Sequence, residues 1–143
     1  MDACPLCAPD LGPILLTSAY WQMVLNRNQN LLGKGFLALR RHIERVPDLT
    51  PDEWQDLHAQ IAHMTARLEA AFQPDHFNYV FLQNQERHVH LHVIPRYAAA
   101  RSFEGVTFTD PGYPGHYVTG PGSEHLLSAA LLDRLAMTLR EMT

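Results

Sequence analysis

The sequence predicts an α+β fold: a mostly antiparallel β-sheet, one long amphipathic helix and a C-terminal helix. Three observations lead there. Apolar runs of strand length fall before and after a single helical stripe, in the order strands, helix, strands, helix, rather than alternating one for one. The stripe opens on Thr50-Pro51-Asp52-Glu53, a complete helix-start signal. Residues 88–96, His-Val-His-Leu-His-Val-Ile-Pro-Arg, alternate imidazole with aliphatic side chains, the period of a strand buried on one face.

The elements follow in order. Residues 19–25 and 35–41 read as strands, joined by a turn-rich stretch over 26–34 that is heavy in Asn and Gly. In the helix, Thr50 caps, Pro51 fits the first position and Glu53 closes a capping box. Trp54, Leu57, Ile61, Met64 and Leu68 form its apolar stripe, and Pro74 stops it after Phe72. His58 and His63 lie off one another's face on this helix and read as surface positions. Residues 77–82 form a third strand. The polar turn 83–87 leads into the histidine strand, so the two pair as a hairpin and bring Asn84 beside the imidazoles. Residues 98–122 show no period and read as a structured loop. A last helix is expected from about Ser123, with Leu127, Leu131, Leu135 and Leu139 four apart.

Composition bounds the function. A chain of 143 residues, 46% hydrophobic and 18% charged, is one ordinary globular domain, expected to span 1–143. With 11 basic and 15 acidic residues the net charge is −4, which argues against a protein living on nucleic-acid backbones. A small anionic substrate needs only a local positive pocket. The N-terminus lacks a signal-peptide pattern, and no apolar stretch approaches the ~20 residues of a spanning helix. The expectation is therefore a cytoplasmic protein without membrane or nucleic-acid partners. Cys4 and Cys7 stand as Cys-x-x-Cys, which in a reducing compartment suggests a metal or a redox pair.

Imidazole can act as nucleophile, general base, phosphate donor or metal ligand near neutral pH. An edge strand whose exposed positions happen to be histidine is the bland alternative. Three imidazoles in register, ending in Pro-Arg, argue against it. Neighbours in the row lie about 6–7 Å apart, a match to a phosphate spanning two side chains.

The pattern His-x-His-x-His resembles the histidine triad (HIT) superfamily of nucleotide hydrolases and transferases. Leu25-Asn26-Arg27 followed by Gly35-Phe36-Leu37-Ala38-Leu39 resembles the family's ribose-binding Asn or Asp and the next strand. Arg41-His42-Ile43 leading to the helix start, and Asn84 four residues before His88, extend the likeness over residues 14–97. The resemblance implies a HIT-like fold, a homodimer, and cleavage at the α-phosphate of a dinucleoside polyphosphate or nucleoside phosphoramidate. It assigns His90 as nucleophile, His92 as donor to the phosphate, Asn84 to a phosphate oxygen and Asn26 to the ribose hydroxyls. It also implies a structural zinc held by Cys4, Cys7, His42 and His88, with residues 1–13 as the zinc-binding segment and no catalytic cofactor.

One departure is visible. Where many members carry a histidine before the second strand, this chain reads Gly33-Lys34-Gly35-Phe36. The two glycines read as turn residues, and Lys34 as a solvent-exposed turn lysine in preference to a phosphate contact. Leu15 and Leu25 are candidates for an apolar base slot. Residues 98–122 are expected to shape the leaving-group side, with His116 and Tyr117 as their polar candidates. Two other functions stay open at this point. His88, His90 and His92 could bind a catalytic metal, although only Glu86 is near to help; or the protein could bind nucleotides without turnover.

Overall fold

The structure is a computed structural model that describes residues 4–7 and 11–142. Strands β1 (Ile14–Thr17), β2 (Trp21–Leu25), β3 (Gly35–Leu39), β4 (His76–Val80) and β5 (His90–Arg96) form one sheet in the order β1-β2-β3-β5-β4. Every neighbouring pair is antiparallel. Helix α1 (Pro51–Phe72) joins β3 to β4, and α2 (Ala129–Glu141) closes the chain. A two-stranded ribbon, β6 (Arg101–Phe103) with β7 (Val106–Phe108), stands apart from the sheet. The α+β class and its mostly antiparallel sheet are as the sequence predicts. No helix among the described residues is long and apolar enough to cross a membrane.

The period of two sorts each strand between two faces. Met23 and Leu25, Leu37 and Leu39, and Leu91 and Val93 enter the main core with α1 and α2. Helix α1 contributes Leu57, Met64, Leu68 and Phe72 to it, with half-buried Ile61 between the first two, one every three to four residues. Each fully buried aliphatic side chain there contributes about 1.5–3 kcal/mol. On the opposite face lie Val24, Phe36 and Ala38. Register places Phe36 against His92 and Ala38 against His90, so the imidazoles share the face the helices leave open.

The capping box of α1 is complete: Glu53 N–H donates to Thr50 Oγ1, and Thr50 N–H donates back to Glu53 Oε1. Several boundaries differ from expectation. Strand β1 is additional. Strand β3 stops at Leu39, because Arg40 donates to the carbonyls of Ser18 and Ala19 and Arg41 reaches across to Glu53. The third strand begins at His76 and ends at Val80, so the connection to β5 is longer than a short turn. The ribbon β6–β7 falls inside residues 98–122, where no strand was predicted. Its turn is Glu104-Gly105, both with left-handed φ (51° and 79°), as a two-residue hairpin loop requires.

Helix α2 starts at Ala129, not Ser123: Ser128 caps it by accepting from Leu131 N–H, and Leu127 precedes it. Trp54, assigned to the apolar stripe, is 43% exposed and packs edge-on against Phe81. His58 and His63 are exposed, as expected. Of the segment 1–13, residues 1–3 and 8–10 lie outside the described residues, as does residue 143 of the C-terminal segment.

Candidate active site

His90 opens β5, and its ring is oriented by its own chain. Nδ1 lies 2.7 Å from the carbonyl oxygen of His88. A carbonyl has no proton to give, so Nδ1 carries the hydrogen and donates, which leaves the lone pair on Nε2. The ring is 94% buried yet lines a cavity of about 510 Å³ with His92, Asn26 and Asn84. Phe36 packs edge-on against His90 and tilted against His92, holding both rings in place. Burial, with smaller contributions from His90 and Lys34, pushes His92 down to about 4. His92 is therefore a neutral imidazole at pH 7, offering one N–H and one lone pair.

Asn26 follows β2 directly, and its backbone N–H donates to Lys34 O at 3.1 Å, continuing the β2–β3 ladder by one pair. Its side-chain Oδ1 is buried without a hydrogen-bond partner among the described residues. A buried acceptor left unpaired costs about 1–3 kcal/mol, so its place on a cavity wall suits a ligand hydroxyl. Asn84 is exposed on the rim, in the β4–β5 connection.

His88 does not belong to this cavity. It precedes β5, its Nε2–H donates to Leu39 O at 2.6 Å, and its Nδ1 faces the thiols of Cys4 and Cys7 at 3.4 and 3.3 Å. The three histidines thus do not form one row facing a cleft: two line the cavity and the first turns to the N-terminal segment. His42 Nδ1 completes the cluster, 3.1 Å from His88 Nδ1 and 3.3 Å from Cys7 Sγ. All four ligand atoms lie within 4.8 Å of one another.

Edges of a tetrahedron with metal bonds of 2.0–2.3 Å measure about 3.3–3.8 Å, close to these separations. The donor chemistry agrees. The Leu39 carbonyl fixes the His88 proton on Nε2 and so frees Nδ1, and Glu44 Oε2 lies 3.3 Å from His42 Nε2, where it can orient that ring. Burial, then the neighbouring Cys4 thiol, raises the Cys7 thiol to about 11; a divalent cation would reverse that shift. The four residues fit a closed metal site.

The structure therefore brings His90, His92, Asn26 and Asn84 to one cavity, and Cys4, Cys7, His42 and His88 to one cluster beside it. Leu15 and Leu25 are not a base slot: both enter the main core, and the apolar cavity wall comes from Leu6, Phe36, Leu82 and Ile94. From 98–122 only Tyr117 and Thr119 reach the cavity; His116 stacks on Tyr117 outside it. Gly33 is a turn residue with φ of 88°, whereas Gly35 lies within β3, where a Cβ would meet Val24 O at 2.5 Å and Met64 Cε at 2.6 Å. Lys34 is not solvent-exposed. It lines the cavity, and burial lowers it to about 8. Gln29, which no pattern in the sequence singles out, holds the same loop. Fully buried, it donates from Nε2 to Asn26 O and Lys34 O and accepts at Oε1 from Gly33 N–H.

Comparison with known proteins agrees with this fold. Residues 35–99 match the family model of the HIT domain. A solved histidine triad protein from Sinorhizobium meliloti superposes with a TM-score of 0.75 at 26% identity, over 92% of this chain and 90% of that one. A diadenosine triphosphate hydrolase from Plasmodium falciparum, solved with cyclomarin A, gives 0.63 at 17% identity over 90% and 74%. A zinc-bound histidine triad family protein from Mycobacterium smegmatis gives 0.61 at 15% identity over 92% and 85%. No curated protein sequence matches the chain.

Proposed function

Because residues 35–99 match the family model of the HIT domain, we propose that the chain is a nucleotide hydrolase or nucleotidyl transferase of the histidine triad kind, working through His90. One observation carries this reading: the His88 carbonyl holds the His90 proton on Nδ1, so the neutral ring offers its Nε2 lone pair as the nucleophile. Nε2 attacks the α-phosphorus of a dinucleoside polyphosphate or nucleoside phosphoramidate. The N–P bond forms as the bond to the leaving group breaks; a phosphate departs as its anion, and an amine departs with a proton taken from water. Water, or an acceptor hydroxyl in a transferase, then cleaves the N–P bond and restores the imidazole. His92 donates its one N–H to a phosphate oxygen, Asn84 takes another, and Asn26 Oδ1 accepts from a ribose hydroxyl.

Replacing His90 by Asn or Gly abolishes turnover while nucleotide affinity stays within a few-fold, since the binding contacts lie elsewhere. Quenched wild-type protein carries an acid-labile, base-stable nucleotidyl group on His90. Full activity in His90→Asn would overturn the mechanism.

The Cys4, Cys7, His42 and His88 cluster is assigned to a structural zinc, supported by its donor set and by the zinc reported for the Mycobacterium smegmatis protein. A closed four-ligand shell leaves no open position for substrate. A catalytic metal on the three histidines is the weaker reading, because His88 commits both ring nitrogens outside the cavity and, among the described residues, Glu86 is the sole carboxylate lining it. The assembly proposed is a homodimer. Strand β4 is a free edge of the sheet, with Trp54, Tyr79 and Leu82 exposed near it, and an unpaired edge favours a second strand. A monomeric mass by light scattering at micromolar concentration would overturn that assembly.

A further inference from the structure

We propose that Lys34 Nζ is a phosphate-binding group of the cavity, taking an oxyanion of the nucleotide beside the place where Asn26 Oδ1 accepts a hydroxyl. This rests on the nucleotide reading above and adds a substrate-binding residue to it.

Lys34 falls two residues before Phe36, so its side chain leaves the sheet on the same face as Phe36 and the imidazoles. It pairs across the ladder with Asn26, and both line the cavity with His90 and His92. Among the described residues its ammonium has one fixed partner, Asn30 Oδ1 at 2.5 Å. Asn30 is itself oriented by donating from Nδ2 to Val118 O, which turns the acceptor toward the lysine. That leaves two N–H donors of the ammonium for a ligand.

Among the described residues no carboxylate lies within ion-pair distance of Lys34; Glu86, which also lines the cavity, is not bonded to it. Taking an ammonium out of water without a counter-charge is costly, and an arriving anion supplies that charge. The depressed pKa of Lys34, caused by burial, has the sign expected for a cation still lacking its anion. A structural role for the side chain is already filled. The 26–34 loop is held by Gln29, which bonds Asn26 O, Lys34 O and Gly33 N–H, so the loop does not need the lysine side chain.

The oxyanion can belong to the phosphate that His90 attacks or to a further phosphate on the nucleotide. Calorimetric titration of wild type, Lys34→Met and Lys34→Arg with adenosine, AMP and adenosine 3′,5′-bisphosphate separates them. Loss of a charge-assisted contact is expected to weaken phosphate binding by about tenfold or more. If Lys34→Met loses that factor for AMP while adenosine changes less than twofold, the contact is to the 5′-phosphate. If the loss is confined to the bisphosphate, the contact is to the additional phosphate.

Lys34→Arg is expected to keep the preference of AMP over adenosine. The thermal midpoint of Lys34→Met is expected to equal or exceed that of wild type, since a buried charge is removed. Equal weakening for all three ligands, or for none, would overturn the proposal. Wild-type protein that binds none of the three would overturn the nucleotide reading and this proposal with it, a result distinct from wild type and variant binding alike.

Discussion

His92 and Glu53 give the protein two separate sensitivities to acid. An unfolded histidine takes up its proton near 6.5, whereas burial holds His92 neutral down to about 4. Between those values the unfolded chain binds more protons than the folded one, so stability falls as pH drops from 6.5 to 4. Glu53 adds a second fall. Hydrogen bonds from Arg41, outweighing the effect of burial, hold its carboxyl at about 2, so its contribution is present above 4.5 and is lost from there down to 2. Urea midpoints measured against pH should therefore decline in two stages. His92→Gln should flatten the upper stage only; an unchanged slope there would reject the assignment. The residues of the cavity were unequally legible in the sequence. His90, His92 and Asn26 were readable because period-two spacing and a strand end place them on one face. Lys34 was not, because a lysine between glycines ordinarily marks a solvated turn. What turns it inward is the loop wound round Gln29, whose burial no periodicity announces.

Strand β3 approaches both β2 and α1 closely because residue 35 is glycine. A methyl group there would meet Val24 O and Met64 Cε at about van der Waals overlap, and one of those partners is backbone that cannot swing away. Gly35→Ala should cost about 1–3 kcal/mol, a fall in thermal midpoint of about 3–10 °C at this size. A midpoint within 1 °C of wild type would show that the sheet relaxes freely. Thr50→Ala should cost about 1 kcal/mol by removing the cap, without changing nucleotide affinity. Equal losses of stability and affinity would contradict the separation of helix start from cavity. Helix α1 was legible to its first residue because capping box, proline and stripe agree. The ribbon β6–β7 was hidden because its three-residue strands are too short to show a period. The start of α2 was misplaced because Leu127 continues the four-residue spacing, although residues 125 and 126 bond back to the 26–30 loop and Ser128 makes the cap.

At the scale of the molecule, the Cys/His cluster ties the N-terminal turn to two distant parts of the chain: His42 beyond β3 and His88 ahead of β5. Metal binding by such a cluster is folding free energy. Chelation, or Cys4→Ser, should lower the thermal midpoint by about 10 °C or more while residual turnover persists in the folded fraction. Immediate and complete loss of turnover, with an unchanged circular dichroism spectrum and recovery on adding metal, would instead favour a catalytic metal.

His88 gives this coupling an unusual form. Its ring answers to the thiols and to Leu39, while its main-chain oxygen sets the tautomer of the proposed nucleophile. A side-chain scan would score His88 beside His90 and His92 as a third imidazole of equal rank. The atom that orients His90, however, is one that every amino acid carries. Substitution at 88 can unmoor that oxygen but cannot delete it, so the proton's address on His90 is written into the backbone and is lost only where the main chain itself shifts.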